Sequence, residues 1–233
     1  MLSIGLDIGS TTIKAIAINN RRQIIFTKYE RHNAQVREKI LSLLEEIHSS
    51  LHPSSCTLTL TGSIGLGIAE RQGFSFIQEV VAATKYVRQE HPKANSLIDI
   101  GGEDAKIVFF KDGEASDLRM NGNCAGGTGS FIDQMAILLE ISNKELSDLA
   151  LASRQIYPIA SRCGVFCKTD VQNLISKNIK SSDIAASIFH AVAVQTVMTL
   201  SHGCDIKPPI LFCGGPFTFL PALRQAFVHP ALL

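Results

Sequence analysis

The chain has 233 residues, enough for one large domain or for two domains of roughly 100–120 residues each. Apolar residues make up 45% of it and charged residues 18%, with a formal net charge of +1, which is typical of a globular protein with a filled core. This charge excludes a basic nucleic-acid footprint, and no uninterrupted apolar run reaches the roughly 20 residues of a membrane span. The N-terminus lacks the basic segment of a signal peptide, and six cysteines without a secretion signal indicate free thiols in a reducing compartment. We therefore expect a cytoplasmic protein with no nucleic-acid or membrane partner.

The N-terminal part of the chain alternates strands with helices. Period-2 patterns predict three consecutive strands, and a helical spacing of apolar residues predicts a helix after them. A short strand and two more helices follow. The predicted strands span 2–7, 13–18, 23–29 and 56–60, and the predicted helices span 35–50, 64–72 and 80–89.

The same order then repeats with additions. Three strands, the last two joined by a hairpin turn at Asp112-Gly113, are followed by four helices, one strand and a final helix. The apolar run at 184–200 is interrupted by His190 and Gln195, so we expect a buried helix there. The predicted strands span 96–100, 106–110, 114–119 and 210–213, and the predicted helices span 129–139, 143–152, 170–176, 182–200 and 219–227. With a boundary near His91-Pro92, the order βββαβα occurs twice, which predicts mixed sheets with helices on their faces.

One octapeptide occurs twice in this arrangement. DIGSTTIK at 7–14 returns as DIGGEDAK at 99–106, with Asp, Ile, Gly and the final Lys in register. Each copy follows an apolar run and leads into a β-rich one, which predicts strand, tight turn and strand in both places. Two related turns of this kind indicate two similar half-structures that hold one polyphosphate between them.

Both turns carry residues suited to phosphate. Glycine, serine and threonine let main-chain N–H groups approach a phosphate without obstruction by Cβ atoms. The predicted phosphate-binding residues are Gly9, Ser10, Thr11, Thr12 and Lys14 in the first turn, and Gly101, Gly102, Asp104 and Lys106 in the second. The carboxylates of Asp7 and Asp99 would repel phosphate, so we expect them to hold Mg²⁺ or its waters and to orient an attacking water. The alternative is a pair of β-hairpin turns with structural glycines.

A third glycine-rich segment, Gly214-Gly215-Pro216, follows the last predicted strand. Glycines there would let a flat base lie against the backbone, although such a segment is more often a plain strand-to-helix turn. Together with the two turns, it resembles the ATPase superfamily of actin, the sugar kinases and the heat-shock chaperones. The resemblance implies an α/β, actin-like (ribonuclease H-like) fold with duplicated βββαβα halves around a nucleotide cleft. The halves are expected at 1–92 and 93–208, with 209–233 returning to the first half.

Two cysteines lie in distinctive segments, Cys124 in NGNCAGGTGSFID and Cys163 in SRCGVFCKTD. Both precede predicted helices, whose N-termini favour a thiolate, and the glycines around Cys124 leave room for a bulky inorganic cluster. A [4Fe–4S] cluster needs four thiolates, and a two-fold dimer could supply two from each chain. Two alternatives stay open: a local metal pair of Cys163 and Cys167, or buried cysteines without a chemical role.

Five segments together, DIGSTTIK, DIGGEDAK, NGNCAGGTGSFIDQMA, SRCGVF and FCGGPFTFLP, resemble the ATP-dependent activators of 2-hydroxyacyl-CoA dehydratases and benzoyl-CoA reductases (the BadF/BadG/BcrA/BcrD type). The resemblance covers nearly the whole chain and is strongest to the subgroup fused into long activator–dehydratase-like proteins. It implies binding of ATP or ADP with Mg²⁺, and a homodimer with one [4Fe–4S] cluster held by Cys124 and Cys163. It also implies ferredoxin or flavodoxin as electron donor and a dehydratase or reductase as electron acceptor.

The chain departs from this family in two places. Cys167 stands where the subgroup usually has alanine, and the chain ends at Leu233 where the family continues, so we expect a fragment of a longer protein. Two other functions remain open. A small-molecule kinase of the same superfamily would need a general base, for which Asp170 is the candidate, and a regulatory module would bind nucleotide without turnover.

Overall fold

The computed structural model describes residues 1–112, 114–122, 125–161 and 163–228. They form two compact units, Met1–Tyr86 and Val87–Leu233. Nine strands and nine helices are present within these described ranges. The predicted turn at Asp112-Gly113 lies partly outside them, because Gly113 is not described.

The first unit is a five-stranded mixed sheet with helices. Its strands are β1 (Leu2–Ile8), β2 (Thr12–Ile18), β3 (Ile24–Arg31), β4 (Cys56–Thr61) and β5 (Ser75–Phe76), and its helices are α1 (Val36–Leu51), α2 (Gly65–Gln72) and α3 (Glu79–Glu90), which runs across the unit boundary. The sheet order is β3-β2-β1-β4-β5, with β1 antiparallel to β2 and parallel to β4. Every second residue of β1 is buried, as the alternating sequence predicts. Leu6, Ile8 and Ile13 are fully buried and pack with Leu43 and Ile47 of α1.

The second unit repeats the central part of this topology. Its strands are β6 (Ser96–Ile100), β7 (Ala105–Lys111), β8 (Glu114–Met120) and β9 (Ile210–Cys213). Their order is β8-β7-β6-β9, with β6 antiparallel to β7 and parallel to β9, so β6 corresponds to β1, β7 to β2 and β9 to β4. The helices of this unit are α4 (Gly129–Leu138), α5 (Asn143–Leu151), α6 (Gly164–Ser176), α7 (Ser181–Ser201), α8 (Gly215–Phe219) and α9 (Pro221–Phe227). The predicted α/β fold with duplicated halves is therefore confirmed.

Helix α7 is the centre of the second core. Of the helices in the described ranges, it is the one that is long and apolar enough to cross a membrane, but most of its apolar stretch is buried inside the protein. Ile188, Phe189 and Val192 are almost completely buried there and pack with residues of α4, α6 and β7. The predicted buried helix at 184–200 is confirmed.

Three expectations differ from the structure. Helix α6 begins at Gly164 and not at 170, and Gly164 packs against the ring of Phe131, a long-range contact that local propensity does not indicate. The predicted helix at 219–227 is two helices, α8 and α9, that meet at Leu220 before Pro221. Residues 209–228 lie in the second unit and not in the first, since β9 extends the sheet by pairing with β6.

Candidate nucleotide site and cysteine segments

The two octapeptides occupy equivalent places in their sheets. Asp7 is paired across antiparallel strands with Lys14, and Asp99 is paired in the same way with Lys106. On the other side, Asp7 is paired with Thr61 at the end of β4, and Asp99 with Cys213 at the end of β9. The repeated octapeptide therefore has the same register with its neighbouring strands in both sheets.

A glycine with positive φ follows each parallel neighbour strand. Gly62 has φ +89° and Gly214 has φ +99°. A Cβ atom built on Gly62 would lie 2.5 Å from Asp7 Oδ1, and one on Gly214 would lie 2.7 Å from Asp99 Oδ1. Each carboxylate thus lies against bare backbone, which only glycine provides at these dihedral angles. Sequence reasoning singled out Gly214 but missed Gly62, although both directly follow a strand that runs parallel to the strand carrying the carboxylate.

Each turn holds an ion pair. Lys14 Nζ donates to Asp7 Oδ2 at 2.6 Å, and Lys106 Nζ lies 2.9 Å from Asp104 Oδ2. Burial lowers the pKa of Lys14, but the Asp7 carboxylate and its hydrogen bond more than offset this, so the pKa of the ammonium is raised above its ordinary value. Lys14 therefore stays charged and neutralises Asp7, while Lys106 is 6% exposed and neutralises a carboxylate within its own turn.

The first turn is held from behind by His32, which sequence reasoning missed. The His32 ring is 4% exposed, and its Nδ1 accepts from the Ala34 N–H at 3.2 Å. Because Nδ1 is an acceptor, Nε2 carries the proton of the neutral ring and donates to the Gly9 carbonyl at 3.2 Å. The His32 amide also donates to the Thr11 carbonyl. In a trans peptide the N–H points opposite to the C=O, so the Ser10 N–H points away from His32.

The second turn is held by helix α4. The Gly129 N–H donates to the Gly101 carbonyl at 2.9 Å, and the Ser130 N–H donates to the Gly102 carbonyl at 2.7 Å. By the same peptide geometry, the N–H groups of Gly102 and Glu103 point away from α4. The carbonyls of Gly9, Gly101 and Gly102 thus point toward the protein. The amides of Ser10, Gly102 and Glu103 point away from it, an arrangement that can receive an anion.

Gly214 and Gly215 lie at the start of α8. The Gly214 carbonyl accepts from the Thr218 N–H at 3.1 Å and from the Thr218 hydroxyl at 2.9 Å. The close approach of Gly214 to Asp99 places the Gly-Gly segment beside the second turn, within one unit.

The cysteines near α6 differ sharply in environment. Cys163 is the N-cap residue of α6 and is partly exposed, next to the exposed side chains of Val165 and Phe166. Cys167 lies one turn further on and is 1% exposed, and desolvation by burial, with a smaller contribution from Asp170, raises the pKa of its thiol to about 12. The carboxylate of Asp170 accepts from the Ala160 N–H at 2.9 Å and so holds the segment that precedes Cys163. Cys124 lies outside the described residues.

The chain matches a known protein family. Residues 4–229 match the model of the BadF/BadG/BcrA/BcrD ATPase family. The chain belongs to this family. Across 218 residues it is 30% identical to the (R)-2-hydroxyglutaryl-CoA dehydratase activating ATPase of Acidaminococcus fermentans, covering 91% of this chain and 82% of that protein.

Solved structures of family members have the same fold. The (R)-2-hydroxyglutaryl-CoA dehydratase component A of Acidaminococcus fermentans superposes with a TM-score of 0.87 at 25% identity, covering 97% of this chain and 87% of that one. The activator of the 2-hydroxyisocaproyl-CoA dehydratase from Clostridium difficile, solved with bound ADPNP, superposes with a TM-score of 0.83 at 28% identity, covering 97% and 84%. The actin-like ATPase fold implied by the resemblance is thereby confirmed.

The described residues also show which cysteine thiols could bind an iron–sulfur cluster. Within the described ranges, no group of three or more His, Cys, Asp or Glu side chains is arranged to hold a metal ion. A [4Fe–4S] cluster needs four ligands, and Cys124, the other predicted ligand, lies outside these ranges. The partly exposed thiol of Cys163 at a helix N-cap fits the part of a ligand. The buried, protonated thiol of Cys167 does not fit it.

Proposed function

We propose that the protein is an ATPase that activates a 2-hydroxyacyl-CoA dehydratase, or a related benzoyl-CoA reductase-like enzyme, by delivering low-potential electrons to it. The observation that carries the proposal is the duplicated site, in which Asp7 and Asp99 each lie against a positive-φ glycine and beside a turn with outward amides. Membership of the ATPase family and the relation to named dehydratase activators support it.

In this proposal the glycine-rich turns bind Mg·ATP. Gly9, Ser10, Thr11 and Thr12 of the first turn and Gly101, Gly102 and Asp104 of the second border the phosphates. The amides of Gly9 and Gly101 close the turns by donating to the carbonyls of Thr12 and Asp104, so the outward amides of Ser10, Gly102 and Glu103 hold the phosphates. Asp7 and Asp99 hold Mg²⁺ or its waters and orient the attacking water, and Mg²⁺ supplies neutralisation of phosphate charge when bound. Gly214 and Gly215 border the adenosine.

The two lysines supply charge at this site. Lys14 is charged and already lies 2.6 Å from Asp7, so a cation on that carboxylate would compete with it and free the ammonium for phosphate. In the second turn, Lys106 has the position that Lys14 has in the first, and it forms an ion pair with Asp104.

The electron-transfer part of the proposal rests on the cysteines. Cys124 and Cys163 of two chains hold one [4Fe–4S] cluster in a homodimer, with ferredoxin or flavodoxin as the donor. The cluster supplies one-electron chemistry at low potential. The chain's contribution is a thiol at the start of α6, flanked by exposed apolar side chains that suit a contact with a second copy.

Anaerobic reconstitution with iron and sulfide tests the proposal. We expect about four irons and four sulfides per two chains, because a [4Fe–4S] cluster shared by two subunits has that composition. Cys163→Ser should lose the metal while still binding Mg·ATP, whereas the matched variant Cys167→Ser should keep it, since that thiol is buried and protonated. Loss of iron on Cys167→Ser with retention on Cys163→Ser would show that the ligand assignment is wrong.

The kinase alternative finds no support at its proposed base. The Asp170 carboxylate is engaged by the Ala160 amide at 2.9 Å, in the segment next to Cys163 and not in either glycine-rich turn. If the folded protein takes up no iron on reconstitution and phosphorylates a small molecule, the kinase is favoured over the activator.

A further inference from the structure

The first turn of α4 contacts both the second phosphate turn and the segment of Cys163. At one end, the amides of Gly129 and Ser130 donate to the carbonyls of Gly101 and Gly102 at 2.9 and 2.7 Å. At the other, the Phe131 ring lies 3.3 Å from where a Cβ of Gly164 would be, and Gly164 directly follows Cys163. Three consecutive residues thus join the turn to the start of α6.

These contacts are close. A Cβ on Gly129 would lie 3.0 Å from the Gly101 carbonyl oxygen and 3.3 Å from the Gly102 Cα, so α4 lies directly on the turn. Phe131 is 2% exposed and is fixed in the core by its neighbours. Main-chain hydrogen bonds and a packed ring transmit displacement efficiently because a close-packed interior is not easily compressed.

The segment that precedes α4 is held as well. The Thr196 hydroxyl of α7 donates to the Val192 carbonyl at 2.9 Å and also lies 3.3 Å from the Gly127 carbonyl oxygen. The side chain of Gln195 lies against Gly126, where a Cβ would fit only by displacing it. Residues 125–128, which follow Cys124 in the chain, are therefore attached on one side to α7 and on the other to the α4 turn.

We infer that Gly129 and Phe131 are positioning residues that couple nucleotide at the Gly101-Gly102 turn to the thiol of Cys163. This inference rests on the proposed function, since it takes the turn as a nucleotide contact. A nucleotide that shifts the two carbonyls moves the amides of Gly129 and Ser130 with them. The ring of Phe131 then moves against Gly164 and changes the exposure of the neighbouring thiol.

The test uses the full chain free of iron, with Mg·ADPNP as the nucleotide and iodoacetamide as the thiol probe. The alkylation rate of Cys163 is followed by peptide mass spectrometry, which separates it from the other cysteines. We expect the nucleotide to change this rate by about fivefold or more, the lower range of coupling between two sites.

Gly129→Ala should reduce this ratio to less than about twofold at saturating Mg·ADPNP, because the added Cβ would lie 3.0 Å from the Gly101 carbonyl oxygen and displace α4 from the turn. Gly122→Ala is the matched control, because a Cβ there meets nothing within 4 Å and the ratio should be unchanged. A purely structural role for Gly129 would alter stability but not the dependence of the rate on nucleotide. Retention of the full ratio in Gly129→Ala overturns the inference, as does a ratio of one in a parent that binds Mg·ADPNP.

A parent that fails to bind Mg·ADPNP in a direct titration overturns the proposed function, and the inference with it, so the two failures are told apart by the binding measurement. If Gly129→Ala does not fold, Phe131→Leu serves instead, since it leaves both amide contacts and shortens the side chain that reaches Gly164. The ratio should again fall below about twofold, and its retention overturns the inference.

Discussion

At the residue scale, His32 shows how a single side chain determines the shape of a turn. It is separated from Gly9 by more than twenty residues, yet its ring is buried beside the turn and bonded through both nitrogens. The ring therefore fixes the direction of the Gly9 carbonyl, and with it the direction of the next amide. A phosphate site made of main-chain groups depends on such support, because the direction of each amide is set by the backbone that carries it.

Substitutions that mimic one nitrogen at a time test this role. Glutamine at 32 can reproduce the Nε2 donor to Gly9, whereas asparagine can reproduce only the Nδ1 acceptor. We expect His32→Asn to weaken Mg·ADPNP binding about fivefold to tenfold, the value of one lost hydrogen bond, and His32→Gln to stay within about threefold. Calorimetric titration measures both, and equal affinities for the two variants would contradict the role given to Nε2.

At the element scale, the end of each parallel strand matters as much as the octapeptide. Strand β4 leads into Gly62 and strand β9 into Gly214, and both glycines lie against a carboxylate at dihedral angles that other residues avoid. Gly214, with φ +99° and ψ 164°, lies in a region of backbone space that is essentially restricted to glycine.

Gly62→Ala and Gly214→Ala should therefore each destabilise the protein by about 2 kcal/mol or more, through backbone strain and collision with the neighbouring carbonyl. Gly122→Ala, in open space without positive φ, should change stability by less than about 0.5 kcal/mol. Urea unfolding measures all three. A wild-type midpoint for Gly214→Ala would show that the strand end is not constrained in this way.

Helix α7 offers a second element whose start is held electrostatically. The amide of Arg154 and the hydroxyl of Ser153 donate to Asp183 Oδ1 and lower the pKa of this carboxyl below its ordinary value. A lowered folded-state pKa stabilises the protein above the unfolded value of about 3.9, and this contribution is lost as pH falls through the folded value.

Asp183→Asn should accordingly make stability less dependent on pH between about 5 and 3 than it is in the parent. The control is Asp148→Asn, which removes only an exposed pair with Lys144. Urea midpoints collected across this pH range decide the matter, and parallel curves for parent and Asp183→Asn would refute the assignment.

At the scale of the whole molecule, the duplication predicts that each unit carries a carboxylate that ATP turnover requires. Asp7 belongs to the first unit and Asp99 to the second, and the two are related by the same register of neighbouring strands. If each half acted alone on its own nucleotide, loss of one carboxylate would leave about half of the activity.

We expect instead that Asp7→Asn and Asp99→Asn each lower ATP turnover by about 100-fold, as removal of one catalytic electrostatic group commonly does. Steady-state phosphate release measures this, with Asp148→Asn as the control. A variant of either aspartate that keeps half or more of the turnover would contradict the requirement for both carboxylates.

Most of the elements, the duplicated order and the two turns followed from the sequence alone, because side-chain periodicity and turn chemistry are local properties of the chain. The two turns and the late Gly-Gly segment carried the family resemblance, and that resemblance implied an actin-like fold. Only the tertiary structure decided that β9 extends the second sheet, that Gly62 is the counterpart of Gly214, and that His32 supports the first turn. It also distinguished the accessible thiol of Cys163 from the buried thiol of Cys167, one helical turn away. Burial, ion pairing and close approach depend on residues distant in the chain, and no local pattern contains them.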